Sequence, residues 1–312
     1  MDKLLSLCIP TNGITEWVLP VLDSIYSQQV DEDLFEVVVT DNGENEEFKK
    51  RIEIYKKNHT NLIYKKTSSY SFLNEIDSYK NANGAFIKFI NHRTKMLPGS
   101  INYLLDFIKN NINEKPFVYF SNGVLKFKKK KKVHYLNSFN DFIKELNYWS
   151  SWSTGMAFWN DDFSSIKNND LSKFNELFPH TNILFSQRSK EKYIIDDNVL
   201  LEEIIVDQKN KGKYDLFYAF AVEFILIIME LYVSNDITYK TFTHVKKKNK
   251  KFLKELYFEY IVLKRPSSYR CDTYKKNIKI FYKRNLFILE VPFMIFIRAF
   301  KHIGKCIHKK KK

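Results

Sequence analysis

Cysteine is scarce in this 312-residue chain: Cys8, Cys271 and Cys306 stand far apart, with no close pair. That excludes a disulfide framework or a zinc knuckle and fits a reducing, cytosolic setting. No Gly-x-Gly-x-x-Gly fingerprint follows the first predicted strand and no Gly-Lys-Ser/Thr loop occurs, which argues against a dinucleotide enzyme or a P-loop NTPase. Long uncharged apolar runs are missing too. Residues 216–233 carry Glu223 and Glu230 and read as a buried helix, while residues 285–297 carry Glu290 and Pro292 and are too short to span a bilayer. The first ten residues include Asp2 and make no secretory signal. What is present is core: 44% hydrophobic and 16% aromatic content excludes a disordered or collagen-like polypeptide.

Charge is lopsided, with 51 Lys/Arg against 36 Asp/Glu and a formal net of +15. Residues 246–312 hold 21 basic and 4 acidic side chains, a local +17, which leaves 30 against 32 (net −2) in residues 1–245. A near-neutral body with a basic end implies a charged partner for the end and says little about the body's own ligand.

The first hundred residues alternate β-branched runs with helix-period segments. Strands are predicted over 4–9, 35–40, 62–65 and 84–90, and helices over 15–29, 44–57, 71–81 and 101–109. Four βα units in succession imply an α/β fold, a mostly parallel, Rossmann-like sheet with helices on both faces. Strands are also expected at 117–120 and 154–158, and a lysine-studded ribbon over 124–135 suits an exposed edge strand guarded by charge. From about Gln208 the pattern is mainly helical, which gives an α/β domain over 1–207 and a helical, basic C-terminal module over 208–312.

Ligands of an open parallel sheet bind beyond the carboxyl ends of its strands. Those ends read Pro10-Thr11-Asn12, Asp41-Asn42 and Asn91-His92-Arg93. The run Leu5-Ser6-Leu7-Cys8-Ile9-Pro10-Thr11-Asn12, followed by Val37-Val38-Val39-Thr40-Asp41-Asn42, resembles the family 2 glycosyltransferases of the GT-A fold. The likeness continues through Ile76-Asp77, Ala82-x-Gly84, Phe86-Ile87-Lys88-Phe89-Ile90 and Leu97-Pro98-Gly99, over roughly residues 3–205. It implies transfer, with inversion, of a sugar from a UDP- or dTDP-linked nucleotide-sugar donor to a saccharide or lipid-linked acceptor, in bacterial surface glycan synthesis such as capsule or lipopolysaccharide.

By the same resemblance Asp41 matches the carboxylate that accepts the imide N–H of the donor's base, although Asp41-Asn42-Gly43 is also good Asx-turn sequence. Pro10, Thr11 and Asn12 carry over as nucleotide contacts, or serve as a plain loop and helix cap. The chain departs from the family where an Asp-x-Asp triplet usually binds Mg²⁺ or Mn²⁺. Asn91-His92-Arg93-Thr94 stands there, without a carboxylate. Hard divalent ions prefer oxygen ligands, so no metal ligand is expected, and Arg93 or Lys95 could neutralise the diphosphate directly. The alternative is a non-catalytic relative that binds nucleotide-sugar or membrane only.

An inverting transfer needs a base for the acceptor hydroxyl. The comparable stretch is Asn175-Glu176-Leu177-Phe178-Pro179-His180-Thr181, in which Glu176 either orients His180 or acts as the base itself, with Pro179 breaking any assumed helical spacing. Asp161-Asp162 reads as helix capping, Asp196-Asp197 as a turn, and residues 148–153 as aromatic core or a sugar-stacking surface. At the basic end, Phe293, Phe296, Ile297, Phe300, Ile303 and Ile307 fall within an arc of about 120° on a helix. Cations occupy another arc, and four lysines close the chain. That predicts an interfacial helix on an anionic membrane, hence peripheral attachment to the inner face of the plasma membrane, or a helix packed on the body. A basic nucleic-acid-binding protein is the competing class; no recognition motif accompanies the charge, and no nucleic acid is expected.

Overall fold

Runs of buried β-branched and aromatic residues form the strands. In chain order these are β1 Leu5–Thr11, β2 Phe35–Asp41, β3 Leu62–Lys66, β4 Phe86–Phe89, β5 Thr94–Met96, β6 Phe117–Phe120, β7 Val133–Leu136, β8 Ala157–Trp159, β9 Tyr193–Asp196 and β10 Leu201–Glu203. The helices that accompany them are α1 Thr15–Tyr26, α2 Glu46–Asn58, α3 Asn74–Lys80, α4 Ser100–Asn111, α5 Phe139–Leu146, α6 Asn160–Lys167 and α7 Pro179–Ser186. The computed structural model describes residues 3–127, 132–205 and 212–283. The expected boundary at 207, the lysine run at 128–131 and the amphipathic segment at 293–309 lie outside the described residues.

The chain divides into two compact units, Met1–Ile205 with Asp236–Thr241, and Val206–Asn235 with Phe242–Lys312. In the first, the main sheet runs β3-β2-β1-β4-β8. Its first four strands are mutually parallel and β8 is antiparallel to β4. Leu5, Leu7 and Ile9 of β1 and Phe35, Val37 and Val39 of β2 join Val18, Val21 and Leu22 of α1 and Phe48 and Ile52 of α2 in one apolar cluster. The alternate positions face α3, where Cys8 Sγ lies 3.6 Å from the Ser78 carbonyl. Both faces are covered, which is why β1 and β2 read as nearly continuous apolar runs.

Ala82-x-Gly84 has a structural reason. The buried Glu36 carboxylate accepts from Ser6 Oγ (2.6 Å) and from the Asn83 (2.5 Å) and Gly84 (3.2 Å) amides. A Cβ at Gly84 would lie 2.7 Å from Ser6 Oγ, so the chain passes the β1 backbone too closely for any side chain.

Three expectations are corrected. The helix over 71–81 is a 3₁₀ turn at Ser71–Leu73 followed by α3 from Asn74. The ribbon over 124–135 is a strand only at Val133–Leu136; Asn122 and Gly123 take positive φ, and the buried Asp197 carboxylate accepts from Ser121 Oγ and the Leu125 and Phe127 amides, folding 121–127 into a turn. Asp161 and Asp162 do not cap a helix with their side chains; they occupy the first turn of α6 and pair with Lys115 and Lys190, respectively.

The second unit is helical. Leu216–Val233 is long and apolar enough to cross a membrane by length and composition, with mean hydropathy 2.1, and half of it is buried. Within it, Ala219–Glu223 is a π turn, and the buried Asn249 donates to the Phe220 carbonyl at 2.7 Å, where the insertion disturbs the helix's own ladder. Lys246 lies 5.6–6.0 Å from the rings of Phe242, Phe281 and Tyr282, so its charge is spread over three aromatic faces.

One side chain of the first unit is unusual. Lys88 on β4 is 1% exposed and gives its ammonium to the carbonyls of Phe89 (2.8 Å), Thr154 (2.6 Å) and Met156 (3.3 Å). Burial pushes its pKa down to about 7. The Tyr119 hydroxyl reaches the Trp149 and Trp152 carbonyls, each at 2.6 Å, so Lys88 and Tyr119 together pin the aromatic stretch 148–156. A Cβ at residue 155 would sit 2.1 Å from the Tyr119 ring. Gly155→Ala is expected to destabilise the protein by about 1–3 kcal/mol or more through this overlap, read as a lower urea midpoint at unchanged slope.

Candidate functional site

The carboxyl ends of β1, β2 and β4 converge through Thr11, which is 3% exposed. Its carbonyl accepts the Asn42 amide (3.0 Å) and the Asn74 side-chain amide (3.0 Å). Its hydroxyl accepts the Gly13 amide (3.1 Å) and shares a hydrogen bond with His92 Nδ1 (2.9 Å). Asn74 also donates to the Thr40 carbonyl (2.9 Å) and accepts from Thr67 Oγ1 (2.9 Å), so the first residue of α3 clamps β1 to β2 with all its amide groups used. A Cβ at Gly43 would lie 1.9 Å from the Asn12 carbonyl; only glycine allows the loops after β1 and β2 this approach.

Asp41, 1% exposed, ends β2. Its Oδ1 accepts the Gly43 amide (2.8 Å), the expected Asx turn, and its Oδ2 accepts the Tyr64 hydroxyl (2.9 Å) with Lys66 Nζ at 3.9 Å. Burial and then the Asp41 hydrogen bond and charge hold the Tyr64 pKa well above its usual value, so Tyr64 stays a donor. Each carboxylate oxygen keeps acceptor capacity beyond these bonds. Asn12 is exposed and Pro10 half-buried beside it.

The loop after β4 brings Asn91, His92 and Arg93 to the same rim. Asn91 Oδ1 accepts the Arg93 amide (3.2 Å), His92 packs edge-on against Trp17 of α1 (5.0 Å), and the Arg93 guanidinium sits 5.9 Å from the Trp17 ring. Burial and the Arg93 charge push the His92 pKa down to about 3, so the imidazole is neutral. Lys95 is not brought here: two residues on, β5 carries it to a cavity of about 460 Å³ with Ser24, Ser27, Gln28 and Glu202. The residues present do not offer the oxygen-rich set a hard divalent ion takes. A guanidinium and a neutral imidazole occupy the stretch, and among the described residues no group of three or more His, Cys, Asp or Glu could hold a metal.

Of the two base candidates, Glu176 is exposed on the loop before α7, whereas His180 is 4% exposed in the first turn of α7. His180 Nδ1 lies 3.7 Å from Oε2 of Glu75, a residue of α3 that sequence reasoning missed. Asn74 and Trp17 were missed as well. A polar residue at the start of a predicted helix beside two strand ends was the available signal for Asn74; nothing in the spacing marks Glu75 as the neighbour of His180.

No protein-family profile and no curated protein matches the sequence. Among solved structures, TarS of S. aureus is similar at 16% identity and TM-score 0.53 over 83% of this chain, which spans 44% of that one. TarS 1–349 in complex with UDP-GlcNAc is similar at 16% identity and TM-score 0.58, over 83% of this chain and 73% of that one, and TarS 1–349 in complex with UDP at 17% identity and TM-score 0.53, over 82% and 72%. The fold is the one expected, a GT-A α/β sheet with a helical C-terminal region.

Thr11→Val keeps the shape but strands the Gly13 amide and His92 Nδ1, at an expected cost of about 1–3 kcal/mol in urea unfolding. The unfolded chain protonates His92 near its ordinary value of about 6.5 and the folded chain only near about 3, so the unfolded state binds more protons between them and stability falls as pH drops through that window. Replacing His92 with Asn is expected to lessen the loss of stability between pH 7 and 5.

Proposed function

We propose that this chain is a glycosyltransferase that takes its sugar from a nucleoside diphosphate sugar bound across the carboxyl ends of β1, β2 and β4. The observation that carries the reading is the convergence on Thr11 of the loops bearing Asp41, Asn74 and His92-Arg93, at the end of a parallel sheet where ligands of such folds bind. The likeness of fold to structures determined with UDP-GlcNAc and with UDP supports the class of donor. In this reading Asp41, set by Tyr64 and Gly43, accepts the imide N–H of a uracil or thymine, while Asn12 and the residue 12–13 backbone line the nucleotide. Arg93, braced on Trp17, supplies the positive charge against the diphosphate without a metal. The acceptor is a saccharide or a lipid-linked glycan in bacterial surface glycan synthesis, and attack inverts the anomeric carbon. His180 or the exposed Glu176 takes the acceptor proton. The basic segment over 293–309 holds the protein to the anionic inner face of the membrane, close to a lipid-linked acceptor.

A thermal-shift panel of nucleoside diphosphates and their sugars, with and without Mn²⁺, tests the donor. UDP or dTDP compounds are expected to raise Tm without Mn²⁺, and the ligand-induced shift is expected to shrink in Asp41→Ala, compared with that variant's own ligand-free Tm. No shift with any nucleotide rejects the transferase reading; a shift that demands Mn²⁺ rejects direct neutralisation by Arg93. Replacing the base with Gln is expected to lower kcat on the order of 10²-fold, so His180→Gln and Glu176→Gln assign it. Membrane attachment has its own check: deleting residues 285–312 is expected to release the protein from anionic vesicles, and unchanged binding rejects the attachment.

A further inference from the structure

Glu75 and His180 are buried together, with polar side-chain atoms that lack hydrogen-bond partners. They are 5% and 4% exposed, Glu75 Oε2 and both ring nitrogens of His180 have no hydrogen-bond partner, and the Oε2 to Nδ1 distance is 3.7 Å. Each polar group left so costs about 1–3 kcal/mol. Two apolar side chains would join α3 to α7 at lower cost, so holding the helices together does not account for the pair. Its place in the fold is informative. Asn74, the residue before Glu75, is the clamp on the Thr11 and Thr40 carbonyls, so Glu75 directly follows in the chain the residue that ties α3 to the ends of β1 and β2. Glu176, the carboxylate nearer in sequence, is exposed on a loop that Asn175 Oδ1 shapes by accepting the Leu177 and Phe178 amides.

We propose that Glu75 is a positioning residue for His180, its carboxylate holding the proton on Nδ1 and so presenting Nε2 as the base to the acceptor hydroxyl. This rests on the transferase reading above. In the step it serves, the acceptor oxygen forms a bond to the anomeric carbon. The bond from that carbon to the diphosphate oxygen breaks, and its electron pair leaves on the nucleoside diphosphate. The acceptor's proton passes to Nε2, and the Glu75 carboxylate offsets the charge of the resulting imidazolium. Closing the contact from 3.7 Å to hydrogen-bond length of about 2.7–3.2 Å is the kind of tightening that accompanies substrate binding.

The test needs the full chain labelled with ¹⁵N-histidine, with the His180 signals assigned by their loss in His180→Gln. The wild-type ring is expected to carry its neutral-state proton on Nδ1, and Glu75→Met, which has no acceptor, to move it to Nε2. In parallel, release of UDP or dTDP from their hexose sugars is expected to fall on the order of 10²-fold in kcat for Glu75→Met, with KM for the donor unchanged. Part of that activity is expected to return in Glu75→Asp. A wild-type ring protonated on Nε2, or a tautomer and kcat that Glu75→Met leaves unchanged, overturns the proposal; the wild-type spectrum decides even if Glu75→Met does not fold. Failure of every nucleotide sugar to react would reject the transferase reading instead, and the tautomer would still report whether Glu75 orients the ring.

Discussion

The rim depends on one buried threonine. A parallel sheet leaves backbone groups at the ends of its strands without ladder partners, and buried ones must be satisfied elsewhere. Thr11 resolves this at the end of the central strand: its carbonyl is shared by the Asn42 amide and the Asn74 side chain, and its hydroxyl by the Gly13 amide and His92. The loop after β2, the start of α3 and the loop after β4 are thereby set relative to a single residue. Position follows from this hub for the turn held by Asp41, for Glu75 one residue after the clamp, and for Arg93 one residue after His92.

The same hub organises the charges. A net of +15 belongs to the chain as a whole, but the body before residue 246 is close to neutral, so the field at the rim is made locally. Arg93 rests against Trp17, its charge helps keep His92 neutral, and Lys66 stands 3.9 Å from the Asp41 carboxylate. A carboxylate buried beside donors on one side of the rim and a guanidinium on the other suit a ligand with a donor-bearing base at one end and a diphosphate at the other. That division of labour supports the reading of a nucleotide-sugar site, with the cation in the stretch where the sequence resemblance implied a metal-binding triplet.

Much of the first unit was legible because its signals are local. Four βα units show as alternation of periods, and the residues ending β1, β2 and β4 follow from the rule that ligands sit beyond carboxyl ends. Long-range determinants were not legible. The run after Phe120 has a strand's composition, yet Asp197 and the Asn122 contacts to Leu200 and Leu201 fold its start into a turn. Lys95 has the right charge two residues from Arg93, but β5 turns it into another cavity. Glu176 and His180 look like a pair along the chain, whereas packing of α7 on α3 gives the histidine Glu75 instead. Lys88 sits within an apolar strand, and only the folded chain shows the three carbonyls that receive it.

Whether the Thr11 rim holds the nucleotide is answered most directly by amide hydrogen exchange of the full chain with and without saturating UDP. Slower exchange at residues 11–13, 41–43 and 91–93 is the predicted result. Protection confined to other segments, or none at all, would contradict the account.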